Sequence, residues 1–383
     1  MIYELIYNDL KSSKEIIVFG AGDNGRYIAE YLEMLGIPIS MFVDSDINKQ
    51  NVMIGGILCD KLESLNGRKE SCLIVTPLKN NKELANAFRE KGFKNIYDWD
   101  EMRLFIKLDT HKVERYLKKY QDLYKLLKSN EQFRGKYKGH RCFVLGTGPS
   151  LKSQDLKYLR NEFVVTVNQF MRSRQFEDVG TNFHVWNDSG YFTESGGSEV
   201  LQERIGLCKK IGKKAISFLP YNKSVEFVKK NHLDEFLNIY YYQEYGTIPL
   251  EKATLNLSSL MPEVGSVVLS AVNIAIYMGF SEIYLLGCDC TDILTVISAK
   301  NSVIASAQYA YEDDSFVETQ VKYMLGERPL EFIYELQAKK FAAFRKIYEI
   351  CKEEGVKIFN CTEGGILEGI PRKKYEDVLS VIK

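Results

Sequence analysis

Short apolar runs, each closed by glycine or a cluster of polar residues, recur along the chain. Runs of that length bounded by turn residues predict buried strands. Residues 15–19 form the first and lead into Gly20-Ala-Gly22-Asp-Asn-Gly25. Residues 26–35 then show helical periodicity, closed by Gly36 as a C-cap. Residues 39–43 predict a second strand ending in Asp44, and residues 73–75 a third ending at Thr76-Pro77. A helix is expected over 82–91, followed by Asn95-Ile-Tyr97. Residues 111–132 carry Lys, Tyr and Leu at helical spacing and predict an amphipathic connecting helix. Residues 142–145 open a second series, with further strands expected at 162–167, 181–186 and 282–286. Residues 266–278 are apolar on nearly every face and end at Gly279, so that helix is expected to be buried, with Ser266 as its N-cap. Strands alternating with helices predict an α/β fold.

The 383 residues exceed one typical domain. Two strand–glycine–helix openings, at Ile16 and at Cys142, predict two domains. The expected division is a Rossmann-like domain over 1–105, a helical linker over 106–137 and a second α/β domain over 138–383. Composition changes this picture little. A hydrophobic share of 45% and a charged share of 27% suit a globular chain in water. Lys+Arg and Asp+Glu both number 51, so no global charge points to nucleic acid or membrane. No apolar run is long enough for a transmembrane segment, and the start carries no secretory signal pattern. The eight cysteines include no Cys-x-x-Cys pair, which predicts reduced, buried thiols in a cytoplasmic protein.

Candidate chemistry gathers where the predicted strands end. Gly20, Gly22 and Gly25 form Gly-x-Gly-x-x-Gly between a strand and a helix, with Asp44 about 20 positions on. That context predicts a βαβ unit whose helix N-terminus is free to hold a phosphate. The alternative is a degenerate domain that binds nothing and mediates association. In the second half, Gly146-Thr147-Gly148-Pro149-Ser150 follows a strand. The glycines put no Cβ between backbone and ligand. Pro149 suits a helix start, and Ser150 adds a hydroxyl donor to an N–H cluster that would face an anion. Asn168-Gln169, Asn187-Asp188 and Asp289 also stand just past predicted strands. Ligands bind at that edge of open α/β sheets, so these strand ends predict a site.

Phe19-Gly-Ala-Gly-Asp-Asn-Gly25, Val43-Asp-Ser-Asp46 and Gly55-Gly-Ile57 resemble a small Rossmann module attached to bacterial sugar-modifying and glycan-assembly proteins. Its accessory, nucleotide-sugar-binding role is what that resemblance implies. Leu145-Gly-Thr-Gly-Pro-Ser-Leu151, Val167-Asn-Gln-Phe170, Gly265-Ser266 and Gly279-Phe-Ser-Glu-Ile-Tyr-Leu-Leu-Gly-Cys-Asp289 look like the motifs of bacterial family 42 sialyltransferases. They also resemble a related superfamily containing motility accessory factor flagellin glycosyltransferases and archaeal 6-hydroxymethylpterin diphosphokinases. The tail Asn360-Cys-Thr-Glu-Gly-Gly-Ile-Leu-Glu-Gly369 is closer to the last branch. The similarity spans about residues 138–375.

This resemblance implies a variant of the GT-A glycosyltransferase fold that takes a CMP-activated nonulosonic acid, such as sialic acid, and a glycan acceptor, without a required cofactor. Carried over, Gly146, Thr147, Gly148, Pro149 and Ser150 would hold the nucleotide phosphate. Asn168 and Gln169 would lie near the donor sugar or phosphate, Ser266 would contact the donor near the helix start, and Asp289 would lie near the ribose or cytosine; Asn187, as a strand-end residue, is a further substrate-binding candidate. One departure stands out: the sialyltransferases are expected to use a histidine after the Gly-x-Asp strand, and here histidines occur only at 111, 140, 184 and 232. Tyr309 and Tyr311 are then candidate phosphate donors, and Asp188 or His184 a candidate base. Two alternatives stay open. One is diphosphoryl transfer from ATP to a pterin-like alcohol, with Mg²⁺ on Asp188, Asp289 and Asp292. The other is a scaffold that binds nucleotide-sugar without turnover. A homo-oligomer is compatible with each.

Overall fold

The computed structural model describes residues 2–77, 80–111, 114, 115, 118, 121–192, 197–246, 248–291 and 330–379. The chain divides after Gln121 into two compact units.

The first unit contains, among the described residues, a six-stranded sheet. Its strands are β1 (Ile16–Phe19), β2 (Met41–Val43), β3 (Val52–Ile54), β4 (Ile57–Asp60), β5 (Cys72–Val75) and β6 (Asn95–Asp98). They lie in the order β3-β4-β2-β1-β5-β6. All pairs are parallel except the β3–β4 hairpin, which turns on Gly55 and Gly56 at positive φ. Among the described residues the helices beside it include α1 (Ile2–Ser12), α2 (Asp23–Met34), α3 (Asn81–Glu90) and α4 (Trp99–Leu108). Ile16 and Val18 join one core with Ile28 and Phe105, whereas Ile17 and Phe19 join another with Leu73 and Phe88. Both faces are covered, which is why β1 is apolar at every position rather than alternating. A capping box starts α4, with Asp98 and Glu101 each accepting the other's backbone N–H at 2.9 Å.

Among the described residues the second unit holds an eight-stranded sheet in the order β12-β11-β10-β9-β8-β7-β13-β14, parallel throughout. The strands are β7 (Arg141–Leu145), β8 (Phe163–Val167), β9 (Phe183–Val185), β10 (Ile216–Pro220), β11 (Asn238–Tyr245), β12 (Leu260–Pro262), β13 (Glu282–Leu286) and β14 (Lys357–Asn360). Its helices are α5 (Gln121–Lys128), α6 (Phe176–Val179), α7 (Gly197–Ile211), α8 (Tyr221–Lys230), α9 (Val267–Met278), α10 (Leu330–Glu353) and α11 (Tyr375–Leu379). Cys142 and Val144 face a core shared with α9 and α10, while Phe143 and Leu145 face a core shared with α7, α8 and α11. Helix α9 lies across β7, β8 and β9 and is buried on almost every side, as its sequence predicts. It ends at Gly279 (φ 89°), where a Cβ would stand 2.7 Å from Gly135 Cα, so only glycine fits.

The helix expected over 111–132 is, in its described part, shorter. It stops at Lys128 and gives way to a 3₁₀ turn over Ser129–Phe133. The reason is Asn130, which turns into the core and donates to the carbonyls of Tyr241 (2.8 Å) and Leu257 (2.9 Å). None of the eight cysteines forms a disulfide, and all but Cys290 are buried. No described helix is long and apolar enough to cross a membrane.

Candidate functional site

In the second unit the chain fills β8 to β12 on one side of β7, then returns to lay β13 and β14 on the other. Such a reversal opens a crevice at the carboxyl ends of the two strands beside it. Here the sequence puts Gly146–Ser150 after β7 and Gly287–Asp289 after β13. The two loops are bonded together, Gly146 N donating to Leu286 O (2.8 Å) and Gly148 N to Gly287 O (2.9 Å). Thr147, Gly148, Pro149 and Ser150 stay half-buried at the rim.

Two details differ from the sequence reading. Pro149 opens a 3₁₀ turn over Pro149–Lys152, not an α-helix. The Ser150 donors expected to face a ligand anion instead meet a carboxylate of the chain itself. Ser150 N donates to Asp289 Oδ1 (3.2 Å) and Ser150 Oγ to Oδ2 (2.8 Å). Gly148 has an ordinary φ of −69°, so no left-handed backbone demands a glycine. What demands it is space, since a Cβ there would lie 1.8 Å from Asp289 Oδ2 and 2.6 Å from Gly287 O. Burial pushes the Asp289 carboxyl above the usual range, against the Ser150 bonds and Arg372 that favour its charged form.

The tail segment forms one wall of this crevice. Cys288 N donates to Thr362 Oγ1 (2.9 Å) and Ile366 N to Asp289 O (2.8 Å). Arg372 clasps the tail through the carbonyls of Thr362 and Gly365, both at 3.1 Å. Ser153 Oγ donates to Glu363 Oε2 (2.7 Å) and joins the tail to the end of the Pro149 turn.

Asn168, at the end of β8, adopts a left-handed conformation (φ 42°) that asparagine tolerates. Its Oδ1 accepts from Asn187 N (3.0 Å) past the end of β9. Gln169 is engaged locally, its Oε1 accepting from Arg172 Nε (2.6 Å). Asn187 is the hub of a cluster that sequence reasoning missed. Its Nδ2 donates to Ser270 Oγ (2.8 Å) and Glu244 Oε2 (3.1 Å), and its Oδ1 accepts from Lys223 Nζ (2.6 Å). Ser270 Oγ donates in turn to Glu244 Oε1 (2.6 Å). Glu244 is half-buried, and its carboxyl group is desolvated. Desolvation pushes it up to about 6, opposed by Ser270, Lys223 and Asn187. The one sequence signal for Glu244 was a charged residue inside the aromatic run 240–245.

The other candidates are placed as follows. Ser266 occupies the N-cap position of α9, but its hydroxyl caps no N–H; only its carbonyl is used, accepting from Ser270 N at 3.0 Å. Asp188 is half-buried and closes a local turn, its Oδ1 accepting from Gly190 N (2.9 Å). His184 is not available as a base. It is fully buried in β9, its Nδ1 lies 2.7 Å from Thr166 Oγ1, and Trp186 stands edge-on at 4.5 Å. Burial pushes its pKa down to about 3, so it stays neutral and out of reach. Tyr309, Tyr311 and Asp292 lie outside the described residues. Among the described residues no three His, Cys, Asp or Glu side chains converge as a metal site would require.

In the first unit, chain order reverses between β1 and β5, and the Gly20–Gly25 loop sits at that point. A Cβ on Gly25 would lie 1.9 Å from Gly20 O, so this glycine allows helix and strand to approach; Gly22 faces open space. Asp44 accepts from Ala21 N (2.8 Å) and Asp46 N (2.9 Å), with Lys49 Nζ at 3.4 Å. Burial raises the Asp44 carboxyl, but these donors outweigh it and hold the group below the usual carboxylate range.

Solved structures similar to this chain include three sialyltransferase complexes, all at low identity. The sialyltransferase CstII from Campylobacter jejuni in complex with cytidine-5'-monophosphate is 15% identical, covers 61% of this chain and 87% of its own, and gives a TM-score of 0.31. The same enzyme with CMP-3FNeuAc is 14% identical, with coverage of 61% and 85% and a TM-score of 0.32. The sialyltransferase CST-II with a trisaccharide acceptor and CMP is 15% identical, with coverage of 61% and 88% and a TM-score of 0.32. No curated protein matches the sequence. Residues 114–293 match the family model described as 6-hydroxymethylpterin diphosphokinase MptE-like, the superfamily that the motifs of residues 145–151, 167–170 and 265–289 resemble.

Proposed function

We propose that the second unit is a nucleotide-dependent transferase. Its donor is a CMP-activated sugar, a nonulosonic acid such as sialic acid, and its acceptor is a glycan of bacterial surface-glycan assembly in the cytoplasm. The observation that carries this is the pairing of Gly146–Ser150 with Asp289 across the β7–β13 crevice, with Asn168 and Asn187 on the next strand ends. Gly146, Thr147, Gly148, Pro149 and Ser150 hold the nucleotide's phosphate side, at the half-buried rim of the crevice. Asp289, a carboxylate, is suited to ribose hydroxyls or a cytosine amine rather than to the phosphate, which it would repel. Asn168, Gln169, Asn187 and Ser266 line the path of the donor sugar. Gly20, Gly22, Gly25 and Asp44 make the first unit an accessory nucleotide-sugar module. The choice of CMP rests on the motif resemblance.

The family match favours one second reading, diphosphoryl transfer to a pterin-like alcohol. Mg²⁺ would then lie on Asp188, Asp289 and Asp292 and neutralise phosphate charge. Asp188 is bonded within its own turn, and Asp289 is held by Ser150 of the facing loop.

Melting of the full chain with CMP, CDP, AMP, ADP and ATP, with and without magnesium, tests the proposal. Ligand at about 100 times its dissociation constant adds roughly 2.7 kcal/mol. For a unit of this size that is several degrees, at about 2–4 °C per kcal/mol. CMP and CDP are expected to shift the second unit's transition most, and Asp289→Ala to remove the shift. A larger, magnesium-dependent shift with ATP selects the diphosphokinase reading. No shift with any nucleotide and no turnover with a donor panel selects a non-catalytic scaffold.

A further inference from the structure

Glycosyl transfer needs a group to take the acceptor's proton. His184 is sealed in the sheet, and no histidine follows Asp289. Another group at the same edge of the sheet is built for proton exchange. Asn187, Lys223, Glu244 and Ser270 come from the loop after β9, from α8, from β11 and from α9. They converge although neither a strand ladder nor a helix cap requires them to. Buried polar clusters of this kind are weak stabilisers and need another explanation. Their hydrogen bonds run without a break from Asn168, one strand away from the Gly146 loop, through Asn187 to Glu244. Both Glu244 oxygens receive a donor, Asn187 Nδ2 on one and Ser270 Oγ on the other, which fixes the carboxyl plane. Lys223 donates to the two oxygens of Asn187, so the cation lies behind the amide. Glu244 is half-buried rather than sealed.

We propose that Glu244 is the catalytic base, an assignment that rests on the glycosyl-transfer reading above. The acceptor hydroxyl gives its proton to the Glu244 carboxylate as its oxygen bonds to the anomeric carbon. The bond between the anomeric carbon and the phosphate oxygen breaks, and its electron pair leaves on CMP. Glu244 then returns the proton to solvent. Asn187 and Ser270 are positioning residues. The groups facing Glu244 are Lys223 from α8, Ser270 from α9, Asn187 after β9, Glu263 after β12 and Tyr242 on its own strand. Burial sets the carboxyl at about 6, with Lys223 lowering it and Glu263 raising it, so it is ionised at neutral pH yet basic enough to accept a proton.

The test uses the full chain with CMP-N-acetylneuraminic acid as donor and water as acceptor, followed from pH 5 to 9. The wild type is expected to lose turnover as pH falls through about 6. Glu244→Gln is expected to lower turnover about 10²–10⁴-fold and to lack that limb, while its CMP melting shift is kept. Glu244→Asp, which keeps the charge on a shorter arm, is expected to retain the limb at reduced turnover. Ser270→Ala is expected to move the limb upward, because a donor to the charged form is lost. Wild-type turnover and an unchanged acid limb in Glu244→Gln overturn this assignment and leave the transferase reading standing. No turnover in the wild type overturns the glycosyl-transfer reading and the assignment with it.

Discussion

Gly148→Ala is the sharpest probe of the β7–β13 crevice, because the backbone there (φ −69°, ψ 154°) accepts alanine without strain. The obstacle is the Asp289 carboxylate, 1.8 Å from where the new Cβ would stand. Ordinary contact begins at 3.4 Å, so the carboxylate must retreat by about 1.6 Å, the difference between those distances. That breaks the 2.8 Å bond from Ser150 Oγ and strains the 3.2 Å bond from Ser150 N. A hydrogen bond to a charged group contributes about 1.5–3 kcal/mol, and Asp289 is largely buried, so a loss of about 3 kcal/mol is expected. In a unit of this size that lowers the melting temperature by roughly 6–12 °C. Asp289→Ala removes that obstacle, while the 2.6 Å approach to Gly287 O remains. The alanine should therefore cost less in the Asp289→Ala background, with a coupling of about 2 kcal/mol between the two sites. Denaturant unfolding of the four proteins of the cycle measures it. If the two costs simply add, to within about 0.5 kcal/mol, Gly148 is not glycine on account of Asp289.

Gly25→Ala would push a Cβ to 1.9 Å from Gly20 O, a backbone atom that cannot step aside. It should lower the first unit's melting transition by an overpacking cost of about 1–3 kcal/mol and leave the second unit's in place; calorimetry of the full chain resolves this, and two unmoved transitions refute the close approach. His184 has a folded pKa of about 3, below its ordinary 6.5, so below pH 6.5 the unfolded state binds the extra proton. Stability attached to this residue is complete above pH 6.5 and is lost as pH falls toward 3, by up to about 1.4 kcal/mol per pH unit. His184→Gln should flatten that part of the stability-against-pH curve measured by urea unfolding, and an unchanged slope counts against the sealed histidine. Each unit has its own sheet and cores, so limited proteolysis should cut between residues 105 and 140 and leave a stable C-terminal fragment; a chain that resists cleavage there until it unfolds as one would contradict two independent units.

Elements that bury both faces were legible in the sequence. The strand expected at 282–286 is Glu282–Leu286, and the helix expected over 266–278 is Val267–Met278, because an unbroken apolar run closed by glycine leaves little choice. The edges of the sheets were not legible. β3, an edge strand, is exposed or half-exposed along its length, and β11, one in from the edge and flanked by β12 only over Gln243–Tyr245, reads as tyrosines and polar residues, since a strand covered over so little of its length has no uniform burial to imprint on its composition. The crevice was legible as a set of strand ends, but its internal chemistry was not. Asp289 and Ser150 are 139 positions apart, and no spacing rule pairs them. Glu244 and Ser270 each had a plain local role, one in a strand and one in a helix, and only the order of β9, β10 and β11 brings them to Asn187.

The two glycine loops show why similar motifs need not mean similar sites. In each, a carboxylate from a neighbouring strand end bonds a loop N–H, Asp44 that of Ala21 and Asp289 that of Ser150. An incoming anion must compete with that carboxylate in both. The competition differs because the charge on each carboxylate is held differently. Asp44 is bonded by two N–H groups with Lys49 alongside, and its carboxyl is held below the usual range, so its charge persists well into acid. Asp289 is pushed above the usual range by burial, so it gives up its charge more readily as pH falls. A bound nucleotide placing phosphate near Asp289 would favour that protonation further, whereas one placing ribose hydroxyls there would favour the charged form. The direction of the proton exchange on CMP binding, read by calorimetry at mildly acidic pH in buffers of different ionisation enthalpy, therefore tells which part of the nucleotide Asp289 meets. Proton release is expected, since a carboxylate in this position is suited to the ribose or cytosine; proton uptake would place the phosphate there instead.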